Sequence, residues 1–336
     1  MNIYDISKQA GVSIATVSRV INGNSNVSDK TKQKVLTVME ECGYTPNAFA
    51  RGLGLNSMKT VGILCADSSD PIIAKAIFYI EQNLRGNQYD ALLCCTGYQP
   101  EEKEKYMNLL LMKRVDAIFL VGSNFVEADD NGNQYIRKAA KEVPIMIING
   151  ALVGENIYNT LSDDYQAIFD AVSKLRSYGL SHIHYLYNAN SYSGLKKLSG
   201  YTAAMDSDPS FSSNKEAYIN FFNGSLSDTR EYLSALYKKG LRFDAVITSD
   251  DDLAICVLKF AKATQISVPE QLSIIGYNNS IIAEYSDPEL TSIDNKLETV
   301  CRTGVQTLMS VLKGQSMPQT AIFSCEIIQR GTTRFD

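Results

Sequence analysis

The chain has 336 residues, 45% of them apolar, which is too many for one ordinary core and enough for two or three. Its formal charge of −5 excludes a protein that coats nucleic acid along its whole surface. The seven cysteines are an odd number without C-x-x-C spacing, which reads as reduced thiols rather than a disulfide framework. No signal peptide is legible and no apolar run reaches the roughly 18 residues of a membrane span, so a cytoplasmic protein with no membrane partner is expected.

Charge is unevenly spread. Residues 1–60 hold seven Lys/Arg and four Asp/Glu, a net of +3, which leaves −8 of the total −5 on the remainder. Three short helices are predicted there. Asn2 caps the first, Ile3 to Ala10, with Asp5 in its first turn and Gly11 at its end. Ser13 caps the second, Ile14 to Asn22. Ser28 caps a third, where Val35, Val38, Met39 and Cys42 recur at helical spacing and Gly43 suits the C′ position. Only Gly11-Val12-Ser13 separates the first two, a helix-turn-helix connection. Ile6, Val12, Val17 and Val20 form its expected seam, leaving Ile14, Ala15, Thr16, Ser18 and Arg19 on or near the outer face. In such a motif the second helix enters the major groove by its N-terminus. A plain three-helix bundle would satisfy the spacing alone.

Next comes "YTPNAFARGLGLN" (44–56). Thr45 can cap and Pro46 suits a first helical position. Gly52 and Gly54 each cost about 1 kcal/mol against alanine inside a helix, and so short a helix is marginal in isolation. A helix here is expected to be unstable when free.

From Thr60 strands and helices alternate. Strands are expected at 60–66, 90–96, 115–122, 144–149, 182–188, 217–222, 244–250, 272–278, 290–294 and 321–328. Helices are expected at 72–85, 101–113, 165–178, 227–239, 252–263 and 297–313. Buried strands between helices imply parallel sheets. Two such runs are expected, broken near 159–163.

"IYDISKQAGVSIATVSRVINGNSNVS" resembles the LacI/GalR DNA-binding signature at nearly every position. "Y-x-P-N-x-x-A-R-x-L" resembles that family's hinge, and "KRVDAIFL", "SDDDLA", "LSIIGYNN", "PELTSI" and "IQRGTT" resemble landmarks of its core. The implied fold class is an N-terminal all-α helix-turn-helix domain plus an α/β periplasmic-binding-protein-like core of two parallel-sheet subdomains. The implied divisions are 1–45 for the head, 46–58 for the hinge and 59–336 for the core. Within the core, the first subdomain takes about 59–160 and 291–320, and the second about 161–290 and 321–334.

The resemblance also implies roles. Arg19 reads a guanine edge, and Ile14 and Ala15 tune operator choice, limited as apolar residues to a thymine methyl. Tyr4, Ser13, Thr16, Ser18 and Asn22 serve phosphates or backing contacts. Leu53 is the wedge inserted in the minor groove, with Asn47 and Arg51 against backbone or groove floor. Ligand positions are Asp67, Ser68, Asp70, Ile72, Ile73, Ser123, Asn149, Asp163, Asp164, Lys197, Asp250, Asn278 and Asn295, at strand ends where open α/β sheets bind ligands. A solvated strand end or a helix cap is the competing reading for each polar one, and Asp250–Asp252 could simply cap a helix.

The implied protein is a regulator, in most relatives a repressor, with operator DNA, a small-molecule effector and a second copy as partners, and with no cofactor. Ile72 and Ile73 stand where sugar binders often carry aromatics. Asn278 replaces an aspartate, and Lys197 an arginine with its fork geometry. A sugar or sugar derivative, a phosphorylated sugar, a nucleoside-like ligand and a protein corepressor all stay open. A solute-binding carrier would share the core but not the head. No enzyme is expected, because no P-loop or nucleophile elbow occurs. The two histidines, His182 and His184, lie on one strand without metal-ligand partners.

Overall fold

The computed structural model describes residues 2–22, 26–44, 57–206, 211, 215–222, 226–238, 240 and 243–335. The head holds α1 (Ile3–Ala10), α2 (Ile14–Ile21) and α3 (Asp29–Glu41). Asn2 and Asp5 form a reciprocal capping box, which satisfies two otherwise orphaned N–H groups. Ile6, Ala10, Val17, Val20 and Val35 close its core. Gly11 sits at φ 58°, a left-handed turn that glycine adopts without a Cβ penalty.

The first half of the core contains β1 (Thr60–Cys65), α4 (Pro71–Gly86), β2 (Asp90–Cys95), α5 (Pro100–Met112), β3 (Ala117–Val121), α6 (Gln134–Ala140), β4 (Ile145–Ile148) and β5 (Ile157–Ser162). The second contains α7 (Asp164–Ser177), β6 (Ile183–Tyr187), α8 (Tyr192–Met205), α9 (Lys215–Tyr218), β7 (Ile219–Phe221), α10 (Leu226–Lys238), β8 (Ala245–Thr248), α11 (Asp251–Ala263), β9 (Ser273–Tyr277) and α12 (Ile281–Tyr285). The chain closes with β10 (Thr291–Asp294), α13 (Leu297–Leu312), β11 (Thr320–Phe323) and β12 (Glu326–Ile328).

Two six-stranded sheets result, ordered β11-β5-β4-β3-β1-β2 and β12-β10-β9-β8-β6-β7. Among the described residues the strand pairings are parallel except β10 with β12. Strands such as Ala117–Val121 and Ser273–Tyr277 are buried along their whole length, as helices on both faces require.

The closing stretch departs from the expectation in two ways. β10 lies in the second sheet, so residues 291–294 do not belong with the first half. The run "AIFSCEII" is not one strand, since Thr320–Phe323 joins β5 in the first sheet and Glu326–Ile328 joins β10 in the second. Alternating apolar residues allow either pairing, and only the tertiary crossing decides. The break expected near 159–163 falls where the chain leaves the first half, and what sequence reading did not expect is that residues 157–162 first form strand β5. Its polar Asn159 is 3% exposed and fully engaged, accepting from Leu152 N (3.0 Å) and donating to Leu152 O (3.3 Å), Gln319 O (3.2 Å) and Thr320 Oγ1 (3.2 Å). Expected strand 217–222 begins as helix, and only Ile219–Phe221 pairs.

The chain therefore passes between halves three times, after β5, after β10 and after β11. Helix α13 follows the second crossing and packs Leu297, Val300, Cys301, Val305 and Leu308 against Val61, Ile63, Ile80 and Phe119 of the first half. Asp251 ties the second half together. It is 1% exposed and accepts from Ser280 N (2.7 Å), Ser280 Oγ (2.7 Å) and Ser292 Oγ (2.6 Å). Burial pushes its carboxyl above the usual range, partly offset by those bonds.

Candidate DNA-reading head and effector cleft

Helix α2 turns Val17 and Val20 inward and leaves Ile14, Ala15 and Arg19 exposed, with Thr16 and Ser18 half-buried. That is the division a 3.6-residue period imposes on this string. Ser13 caps the helix through Thr16 N (3.1 Å) and also meets Thr16 Oγ1 at 2.9 Å, so these two hydroxyls hold each other at the helix N-terminus. Tyr4 is exposed on α1. Asn22 donates to Ser18 Oγ at 3.4 Å, and its own Oδ1 is buried without a partner. Ser7 donates to Val12 O at 2.6 Å, pinning the turn. Asn47, Arg51 and Leu53 lie outside the described residues.

The C-terminal strand ends of the two sheets carry the candidate effector residues. In the first half, Asp67 accepts from Ser69 N (2.8 Å) and Ser69 Oγ (2.7 Å), which holds its carboxyl below the usual range. Ser68 is exposed beside it. Asp70 caps α4 through Ile72 N and Ile73 N, while Ile72 and Ile73 pack on the first core. Ser123 donates to Ser191 Oγ at 2.8 Å, and its carbonyl accepts from Tyr192 N at 3.3 Å, so this loop touches the second half directly. Asn149 stands at φ 60° after β4, with Oδ1 buried and unpartnered.

In the second half, Asp164 and Lys197 are 6% and 8% exposed. The Tyr277 hydroxyl donates to Asp164. Lys197 Nζ donates to Ser249 O at 3.0 Å and lies 3.6 Å from the Tyr277 ring centroid. Burial draws its ammonium below the ordinary lysine range, against the nearby Asp164 and Asp250 charges. Asp250 caps α11 through Leu253 N (2.8 Å) and accepts from Asn188 Nδ2 (2.8 Å). Asn295 is 4% exposed, donates to Asn278 Oδ1 at 3.0 Å, and keeps its own Oδ1 without a partner. Its carbonyl accepts from Ser162 Oγ at 2.5 Å.

Asp164, Lys197, Asp250, Asn278 and Asn295 thus share one polar floor. Asp70, Asp163 and Asp250 each spend a carboxylate oxygen on capping a helix, α4, α7 and α11 respectively. Sequence reading missed Asn188, Ser249 and Tyr277, which bond to Asp250, Lys197 and Asp164 of that floor, and Ser191, which caps α8 and meets Ser123. For the first three, position directly after or at the end of strands β6, β8 and β9 was the signal available. His184 is buried between the rings of Tyr218 and Phe243, and among the described residues no three His/Cys/Asp/Glu side chains are placed to hold a metal ion.

Residues 2–47 match the bacterial regulatory proteins, lacI family, and residues 172–333 match the periplasmic binding protein-like domain. An HTH-type transcriptional regulator of Lachnoclostridium phytofermentans is 57% identical over 100% of both chains. The chain belongs to the LacI family. Another LacI-family relative, the HTH-type transcriptional regulator DegA of Bacillus subtilis, is 32% identical over 87% of this chain and 85% of its own. The fold matches a Lac repressor dimer bound to operator and the anti-inducer ONPF, with TM-score 0.86 at 21% identity over 99% of both chains. It also matches a CelR–cellobiose complex, with TM-score 0.69 at 22% identity over 99% of both. The LacI-family assignment makes this chain a transcriptional regulator with a DNA-binding helix-turn-helix head; its relatives are regulators and not enzymes. No helix among the described residues is long and apolar enough to cross a membrane.

Proposed function

We propose that the protein is a homodimeric repressor acting on cytoplasmic DNA, whose operator affinity is set by a small polyhydroxylated molecule, a sugar or sugar derivative, bound between the core halves. The observation that carries this is the exposed face of α2, with Arg19, Ile14 and Ala15 free of the head's own core, on a chain whose core presents a buried polar floor at its strand ends. Arg19 reads a guanine, Ile14 and Ala15 meet thymine methyls, and Tyr4, Ser13, Thr16, Ser18 and Asn22 hold the phosphate backbone. Asn47, Arg51 and Leu53 form a hinge that folds on the minor groove.

The ligand set is Asp67, Ser68, Asp70, Ile72, Ile73, Ser123, Asn149, Asp163, Asp164, Lys197, Asp250, Asn278 and Asn295. Hydroxyl groups suit it because they both donate and accept. Asn149 and Asn295 offer unpaired acceptors, and Lys197 has donors left over. The second copy pairs through both halves of the core, which sets two heads at half-site spacing. Ligand-driven movement of the halves then changes whether two hinges can meet.

Selection of genomic fragments by the purified protein, at one fixed salt concentration, tests this. A pseudo-palindrome with a pyrimidine–purine centre is expected. Sequence-indifferent recovery, with and without candidate sugars, would overturn the operator reading.

A further inference from the structure

Strands β1 and β2 pair in parallel with Cys65 opposite Cys95. Neighbouring strands lie about 4.8 Å apart, inside the roughly 4.4–6.8 Å Cα window that a disulfide spans. The two sulfurs already face each other at 3.7 Å. Bond formation requires them to approach to about 2.05 Å, a movement within the reach of two χ1 adjustments. Cys94 does not compete, since it points into the α5-side cluster while Cys65 belongs to the α4-side cluster. Cys65 is buried and Cys95 exposed, an asymmetry that sets the order of events.

We propose that Cys65 and Cys95 are a reversible thiol-oxidation site that closes an intrachain disulfide under a two-electron oxidant of the peroxide class. The exposed Cys95 sulfur attacks the peroxide O–O bond, becoming a sulfenic acid and releasing one water when hydrogen peroxide is the oxidant. The Cys65 sulfur then attacks the Cys95 sulfur, the S–S bond forms, and the hydroxyl leaves with the Cys65 proton as a second water. Two thiols are oxidised by two electrons and one peroxide is reduced. Burial pushes the Cys65 thiol up to about 12, which keeps it protonated and makes Cys95 the first to react. Dithiols reverse the bond by exchange.

The location gives the site its meaning. Thr96 N donates to Cys65 O at 2.8 Å and Gly97 N to Ala66 O at 2.9 Å, immediately before Asp67. A covalent tie here fixes the strand ends from which one wall of the cleft departs.

The test exposes the full-length protein to hydrogen peroxide, alkylates it under denaturing conditions and maps tryptic peptides without reduction. A loss of 2 Da is expected, with the peptide 60–75 joined to the peptide 86–103. Dithiothreitol should undo the link, Cys94→Ala should retain it, and Cys95→Ser should lose it. Alkylation of all seven cysteines, a link through Cys94 or another cysteine, a link between two subunits, or overoxidation of Cys95 without a link would each overturn the proposal.

Discussion

Arg19 and Lys197 are cations in contrasting surroundings. Arg19 stands exposed on α2, open to an approaching base edge. Replacing it with alanine should cost about 1–3 kcal/mol at its base pair. Competition binding should show selectivity at one position per half-site falling about 5- to 150-fold while affinity for random DNA changes far less. Lys197 is buried, with one hydrogen bond and one aromatic face. Its lowered value means that the unfolded chain holds this proton to higher pH than the folded chain does. Stability from this group is therefore fully present above the unfolded lysine's pKa and is lost as pH falls through the folded one. In urea melts taken below pH 10.5, wild type should gain stability with rising pH, and Lys197→Met should lose that slope.

At the scale of elements, Gly200 decides how closely α7 and α8 approach. A Cβ there would fall 2.2 Å from the Tyr165 carbonyl oxygen, a backbone atom that cannot rotate away. Gly200→Ala should push α8 outward and cost at least about 1–3 kcal/mol, read as a lowered urea midpoint. Lys197 sits on α8, so the same variant should also weaken effector response. The head was legible at this scale because its information is local. Asn2, Ser13 and Ser28 cap where expected, and helical period alone puts Val17 inward and Arg19 outward.

Most core strands were legible for the same reason, as apolar runs. β5 was not, because Asn159, Thr160 and Ser162 are polar yet buried. Asn159 and Ser162 find partners some 130 to 160 residues away in sequence, at Asn295, Gln319 and Thr320. The floor around Lys197 was half visible. Strand-end carboxylates and amides could be named, but the links through Ser249 and Tyr277 depend on how β8 and β9 meet α8. The loop contact of Ser123 with Ser191 needs both halves in place.

For the whole molecule, the division of charge governs how it meets DNA. A head of +3 carried by a core of −8 limits phosphate contact to the head and hinge. Each neutralised phosphate adds about 0.9 to the slope of log affinity against log salt. A titration from 50 to 200 mM salt should therefore give the same slope for random DNA when acidic residues far out on the core, such as Glu101, are neutralised. Lys34→Gln in the head should flatten it. A slope that changes with core charge would mean that the core itself touches DNA.

The three crossings between the halves also bear on how the protein is made. The head's core is complete once Tyr44 has been synthesised. The first half must wait for α13 to cover its sheet and for β11 to finish it, and β12 follows β11 after only two residues. At about 5–20 residues per second, a finished head spends roughly 15–60 s attached to an unfinished core. During that interval the head is folded while the core that would pair it with a second copy is not, so under the proposed function a nascent chain carries a single reading helix and no effector cleft.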